Sequence, residues 1–226
     1  IKDTKVKVYL DLSGDPLHKR GYRQSTGEAP LRETVAAALL RMSGWDRESG
    51  LADPMCGSGT IVIEAALWAG NIAPGLYRKQ FGFERWESFS KEDAEAMRAL
   101  RGEARAQAHR QFPNLIAADR DPEVLQAAKT NAATAGIRLQ FRQRAIEDIQ
   151  LGGNVSTVVF NPPYDQRLAA DSDAFKRIAA AVSRMHGKRV CLLSGNPELG
   201  RAIPVKLEES HPVKNCNLDC VFFSSR

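Results

Sequence analysis

The chain has 226 residues, of which 43% are hydrophobic and 26% charged. That profile excludes a disordered or fibrous chain and is enough for one α/β domain with a sizeable core. No apolar run approaches the ~20 residues that cross a bilayer, and no charged-then-apolar leader opens the chain, so a cytoplasmic protein without a membrane partner is expected. Lys+Arg number 32 against 27 Asp+Glu, a net +5 that suits a polyanionic partner without demanding one. The chain opens on Ile1 and not Met, so a missing upstream portion is expected.

Val6–Leu12 alternates polar with apolar residues and predicts a strand leading into a Ser13-Gly14-Asp15 turn. Basic residues then gather in His18-Lys19-Arg20-Gly21-Tyr22-Arg23. Arg20, Tyr22 and Arg23 are candidates for phosphate and base contacts, the alternative being a solvated strand end. Pro30 suits a first helical position, Leu31, Val35, Ala38 and Leu39 carry helical spacing to Met42, and Gly44 ends the helix. Residues 1–45 thus read as a lead-in packed on a main domain of residues 46–226.

Leu51-Ala52-Asp53-Pro54-Met55-Cys56-Gly57-Ser58-Gly59-Thr60 followed by the apolar Ile61–Trp68 reads as strand, glycine loop and helix, the first unit of a doubly wound sheet. Gly57 and Gly59 remove Cβ atoms where backbone must approach a ligand, and the helix amino terminus offers N–H groups to an electron-rich group. No Gly-Lys-Ser/Thr follows, so this is not a nucleotide-triphosphate loop, and the spacing of a third glycine for a dinucleotide is missing. Asp53, Pro54, Cys56, Gly57, Ser58, Gly59 and Thr60 are therefore candidate cofactor contacts. Asn71–Ser90 interrupts the alternation with Phe81, Phe83, Trp86 and Phe89, either a substrate-facing lid or a satellite core. A solvated helix is predicted from Lys91 to about Arg110.

Leu115–Asp119 is a second strand ending in an acid, placed to accept from two ribose hydroxyls of a nucleoside cofactor, with Arg120 beside it in the binding set. Asp121 is the expected N-cap, ahead of Pro122 and Glu123, although the two aspartates could exchange roles. Leu139–Gln143 is the third strand. Val155–Phe160 is the fourth, and Asn161-Pro162-Pro163-Tyr164 stops it, because neither proline has an N–H to continue a ladder. The Asn161 side-chain oxygen and the Pro162 carbonyl are then two acceptors in fixed relation at a strand's carboxyl end, where open α/β sheets bind ligands. Together they can grip both hydrogens of an exocyclic –NH2, while Tyr164 offers a ring to stack on the planar system bearing it. A helix over Asp171–Met185, a fifth strand Val190–Ser194, a short helix Glu198–Ala202 and a hairpin of Val205–Val213 with Leu218–Phe223 complete the chain. Of Cys56, Cys191, Cys216 and Cys220 only the last two are close, with His211 upstream and no second pair, so no metal site is expected.

Asn161–Tyr164 and the Asp53–Thr60 loop resemble the S-adenosyl-L-methionine (SAM) dependent amino-methyltransferases. Further segments, Ser13–Arg23, Ala29–Thr34, Ile72–Gly75 and Leu218–Cys220, are similar to the RNA guanine-N2 methyltransferases that carry an N-terminal THUMP domain, most of all to their bacterial 23S ribosomal RNA branch. The resemblance runs from about Tyr9 to the end. It implies a Rossmann-like seven-stranded α/β sheet with a terminal antiparallel hairpin, SAM as cofactor, 23S rRNA as partner, a THUMP domain upstream, and no metal. It also implies Asn161, Pro162 and Tyr164 as catalytic residues, with Pro163 on the substrate side. Two departures stand out. Ala145 occupies the position where relatives carry an acid for the adenine amino group, leaving Ile146 or Asp148 to supply that contact, and Asp165 replaces a usual glycine. A tRNA guanine, an adenine N6 or a glutamine amide would present the same planar –NH2, and a non-catalytic RNA-binding module is the rival from another class.

Overall fold

The computed structural model describes residues 6–24, 31–163, 173–203 and 205–225. Seven strands form one sheet in the order β3-β2-β1-β4-β5-β7-β6. They are β1 (Gly50–Asp53), β2 (Leu115–Asp119), β3 (Gln140–Gln143), β4 (Val155–Phe160), β5 (Arg189–Ser194), β6 (Leu207–Asn215) and β7 (Leu218–Ser225). The first five are parallel, and β7 enters antiparallel between β5 and β6. The described helices are α1 (Glu33–Met42), α2 (Thr60–Ala69), α3 (Lys91–Gln107), α4 (Pro122–Thr134), α5 (Ala174–Ser183) and α6 (Pro197–Ala202).

The two-residue period of the strands splits the core between the two faces. Val159, Cys191 and Leu193 join Leu39 of α1, Ile63 of α2 and Leu125 and Ala128 of α4 on one side. Val158, Phe160, Val190 and Leu192 meet Ile178 and Val182 of α5 and Leu199 of α6 on the other. Helices on both faces are what a doubly wound sheet requires, because parallel strands must be covered twice. α2 is buried from Thr60 to Leu67, so it is the central helix of its layer. No helix among the described residues is long and apolar enough to cross a membrane.

The switch point of the sheet lies at β1, which pairs with β2 through Leu51–Leu115 and Asp53–Ala117, and with β4 through Ala52–Val158. Gly50 begins β1 because a side chain does not fit there. A Cβ would stand 2.4 Å from the Asn154 carbonyl oxygen and 3.1 Å from that of Asn114. The same two carbonyls accept from the Gly50 and Leu51 N–H groups at 2.9 and 3.0 Å.

Two expectations need correction, and one alternative left open is decided. Val6–Leu12 is not a strand: it has no partner strand among the described residues, and Val8 is 85% exposed, so its alternation has no sheet face to bury. The helix beginning at Lys91 ends at Gln107 and not Arg110, because Ala108 turns extended and the His109 N–H donates to Gly70 O at 2.8 Å. The aromatic insertion, left open between lid and satellite core, is a packed unit. Phe81 stacks on Phe83 at 5.8 Å, Phe89 meets Phe83 edge-on at 5.9 Å, and the Arg78 and Arg101 guanidinium groups lie over Phe81. The helix expected from Asp171 runs over Ala174–Ser183, and its predicted start lies outside the described residues.

Gly50→Ala should lower stability by about 1–3 kcal/mol through backbone overpacking. Urea unfolding would show it as an earlier midpoint with an unchanged slope.

Candidate active site

Three neighbouring parallel strands end at one edge of the sheet, β2 at Asp119, β1 at Asp53 and β4 just before Asn161. Asp53 is 1% exposed and accepts from the Met55 N–H at 3.1 Å. Burial pushes its carboxyl well above the ordinary carboxylate range. The charge of Asp119 adds to that rise, and the Met55 hydrogen bond opposes it. Burial, with the charges of Asp53 and Asp119, likewise pushes the Cys56 thiol up, so Cys56 is a packed thiol and not a nucleophile. Cys56, Cys191 and Cys220 are buried and Cys216 is exposed, and none of the four is in a disulfide.

Hydrogen bonds to the next strand tie down the loop after β1. The Cys56 N–H donates to Ala118 O at 2.8 Å, and the Gly57 N–H donates to Asp119 Oδ2 at 2.9 Å. The Gly59 N–H donates back to Cys56 O at 2.8 Å. Gly59 has φ +86°, and a Cβ there would come 3.1 Å from the Ala128 Cβ, so glycine serves both the turn and the close approach of α4. Gly57 has φ +53°, but a Cβ on it would meet nothing within 4 Å. Its bare backbone therefore faces open space at the strand edge.

Asp119 spends one lone pair of Oδ2 on Gly57 and one of Oδ1 on the Asp121 N–H at 3.1 Å. A carboxylate has about four acceptor sites, so acceptor capacity remains for two hydroxyl donors. Asp121 is the N-cap of α4, accepting from the Glu123 and Val124 N–H groups at 2.9 and 3.4 Å. Arg120 and Asp148 are exposed and Ile146 is buried. The Arg144 N–H donates to Asp119 O at 3.0 Å, which brings the Ala145–Asp148 turn alongside the tip of β2.

Asn161 follows the last residue of β4. Its Oδ1 is buried and has no hydrogen-bond partner among the described residues. A buried unpaired acceptor costs roughly 1–3 kcal/mol, and a donor brought by a ligand removes that cost. Pro162 is buried and Pro163 exposed. Tyr164 lies outside the described residues.

Arg20, Tyr22 and Arg23, expected at an RNA surface, are corrected by their burial. Tyr22 is 1% exposed and donates its hydroxyl to Glu64 Oε1 at 3.1 Å. Arg20 pairs with Glu64 at 3.3 Å and Arg23 with Glu33 at 2.9 Å, their side chains only 12% and 13% exposed. The cause lies in α2 and α1, which carry Glu64 and Glu33 into the core, where a charge must find a partner. Burial still raises the Glu64 carboxyl, with Arg20 opposing, and Tyr22 is pushed well up by burial and by the Glu64 charge. One residue the sequence reading passed over is Asn131, which donates from Nδ2 to Ser58 O at 3.1 Å and braces the loop from α4. Its signal was a polar residue on the Leu125–Ala128–Ala132 face, at core spacing.

A doubly wound sheet with a glycine loop after β1, an acid closing β2 and a proline-stiffened corner closing β4 is the Rossmann-like architecture of SAM-dependent methyltransferases. Residues 20–223 match the UPF0020 family model, the RMKL-like methyltransferase domain, and the chain belongs to that family. Among solved structures it is similar to a predicted N6-adenine-specific DNA methylase from Listeria monocytogenes, at 35% identity and TM-score 0.81 over 96% of this chain and 56% of that one. A possible methylase from Clostridium difficile 630 matches at 32% identity and TM-score 0.85, over 95% and 57%. SMU.472, described as a putative methyltransferase and complexed with S-adenosylhomocysteine (SAH), matches at 28% and 0.84, also over 95% and 57%. The chain thus spans a little over half the length of each of these proteins. S-adenosyl-L-methionine is the cofactor of this class. The residues here fit it: open space at Gly57 and spare acceptor sites on Asp119.

The raised pKa of Asp53 gives a pH test. The folded state holds this proton more tightly than the unfolded chain does. The associated stability is therefore complete below the ordinary carboxylate pKa and disappears as pH rises through the raised value. Asp53→Asn removes the effect. In cofactor-free melts from about pH 5 to about pH 8, Tm of the variant minus Tm of the unaltered protein should grow with pH. A difference that shrinks with pH would mean that Asp53 is stabilised as the anion.

Proposed function

We propose that this domain transfers a methyl group to the exocyclic N2 amino group of a guanine in 23S ribosomal RNA. The observation that carries the proposal is the buried, unpaired Oδ1 of Asn161, at the same sheet edge as the open backbone of Gly57. When bound, S-adenosyl-L-methionine supplies an electrophilic sulfonium methyl. Gly57, Ser58, Gly59 and Thr60 at the head of α2, with Asp53, Pro54 and Cys56 before them, form its cradle. Asp119 accepts from the ribose hydroxyls, flanked by Arg120, and Ile146 and Asp148 border the adenine.

The amino nitrogen of guanine is a poor nucleophile because its lone pair is delocalised into the ring. Asn161 Oδ1 and the Pro162 carbonyl accept its two hydrogens, favour a more tetrahedral nitrogen and aim the lone pair. Tyr164 stacks on the base, with Pro163 beside it, an interaction worth ~1–3 kcal/mol. The base must leave its helix to reach this corner. Positioning is the main lever, and this chain's residues need no strong base before attack. RNA docking belongs to an upstream THUMP domain, with residues 1–45 as the lead-in to the catalytic domain of residues 46–226, acting in the cytoplasm. Arg20 and Arg23 are engaged with Glu64 and Glu33, so phosphate contacts fall to that domain and to other cations.

A second target, adenine N6, is favoured by the name of the Listeria relative. Asn161 and Pro162 would grip that amino group equally well.

Asn161→Ala should keep SAH affinity while turnover falls by about 10²–10³-fold, the scale of losing one preorganised polar contact. Labelled SAM, offered with undermodified ribosomal RNA, bulk tRNA and duplex DNA, should mark ribosomal RNA alone, at N2-methylguanosine. Turnover retained by Asn161→Ala would refute the role given to the corner, and label in DNA as N6-methyladenine would replace the guanine reading.

A further inference from the structure

The geometry points to Arg23 as the positioning residue of the cofactor loop. This inference rests on the methyltransferase reading above and adds a part to it. Arg23 is one side chain with four separate contacts. Nε–H donates to Glu33 Oε1 at 2.9 Å, Nη1 to Ser58 Oγ at 3.5 Å, and Nη2 to Leu31 O at 2.8 Å and Thr60 Oγ1 at 3.0 Å. Two of these partners, Ser58 and Thr60, flank Gly59 at the head of α2. The other two, Leu31 and Glu33, fix the guanidinium plane from the start of α1.

The next residue repeats the hold by another route. The Gln24 N–H donates to Asn131 Oδ1 at 2.8 Å, and Asn131 Nδ2 donates to Ser58 O at 3.1 Å. Residues 23 and 24 therefore strap the loop through the side chains of Ser58 and Thr60 and, by way of α4, through the Ser58 backbone. The loop needs such a brace. Gly57 and Gly59 both lie at positive φ, and glycine is the residue with the most conformational freedom to lose. Asp119 fixes the loop at Gly57 on the strand side, and Arg23 fixes it at Ser58 and Thr60 on the helix side.

Only a planar fork can do this. Lysine would keep the charge opposite Glu33, but as a point donor it cannot serve Glu33, Ser58, Leu31 and Thr60 in their present directions. A residue that only holds the fold together would, when changed, lower Tm and the active fraction while leaving the KM for SAM alone. A residue that positions the loop raises that KM and leaves kcat nearly unchanged, because it removes binding shared by ground and transition states.

The test uses two variants of the full-length protein. Arg23→Lys keeps the buried charge. The double variant Arg23→Met with Glu33→Met replaces the pair with apolar side chains of similar length, a change that is often neutral or stabilising. Both should raise the KM for SAM and the Kd for SAH about tenfold, equivalent to about 1.4 kcal/mol. The double variant should keep its Tm. Folded variants with unchanged KM and Kd, set beside an unaltered protein that binds SAH, would overturn the positioning role alone. Failure of both variants to fold would overturn it too, by making Arg23 a residue of the fold. An unaltered protein that does not bind SAH would overturn the cofactor reading and this inference together.

Discussion

The parallel pairing of β1 between β2 and β4 is the constraint on which the site depends. It brings the ends of three strands that are far apart in sequence to one edge, so that the loop beginning at Pro54 lies beside Asp119 on one side and Asn161 on the other. The pairing is itself conditional on Gly50, whose missing side chain lets the Asn114 and Asn154 carbonyls close on the start of β1. From there the loop is placed by backbone hydrogen bonds to Ala118 and Asp119, groups whose own positions belong to the sheet. Rigid placement of this kind suits chemistry that works by orientation.

The electrostatics of the site are arranged in two layers. At the edge stand two carboxylates of different character. Asp53 is buried with a raised pKa, and Asp119 is half-buried and held by two backbone N–H groups. Behind the loop lie Glu33 and Glu64, carried inward by α1 and α2 and paired with Arg23 and Arg20. Paired burial of this kind is a weak source of net stability, but removing one partner typically costs about 3–5 kcal/mol. Arg20 and Arg23 are therefore spent on internal carboxylates, and their charge is not available as an RNA-facing patch, while Lys19 of the same segment stays exposed.

Much of the fold was legible because it is local. The Val155–Phe160 run, the double proline, the glycine loop before an apolar helix and the Asp121-Pro122 cap each state their structure within a few residues, and each is found as read. The roles of Arg20, Tyr22 and Arg23 were not legible in this way. Each has a partner 37 to 44 residues away in α2, and a stretch with neither helical nor strand period does not reveal which way its side chains point. Val6–Leu12 misled for the opposite reason, since a clean alternation describes a strand only when another strand is there to pair with it. Asn131 was readable in principle, as the one amide among the buried positions of α4, yet its purpose depends on a contact 73 residues away.

A crystal structure of the full-length protein with SAH would test the shared edge most directly. It should show the cofactor against the Gly57 backbone with its ribose hydroxyls on Asp119, its sulfur toward the Asn161 corner, and Asn161 Oδ1 open to an incoming base. A cofactor bound elsewhere, or an Asn161 Oδ1 taken up by one of the protein's own side chains, would contradict it.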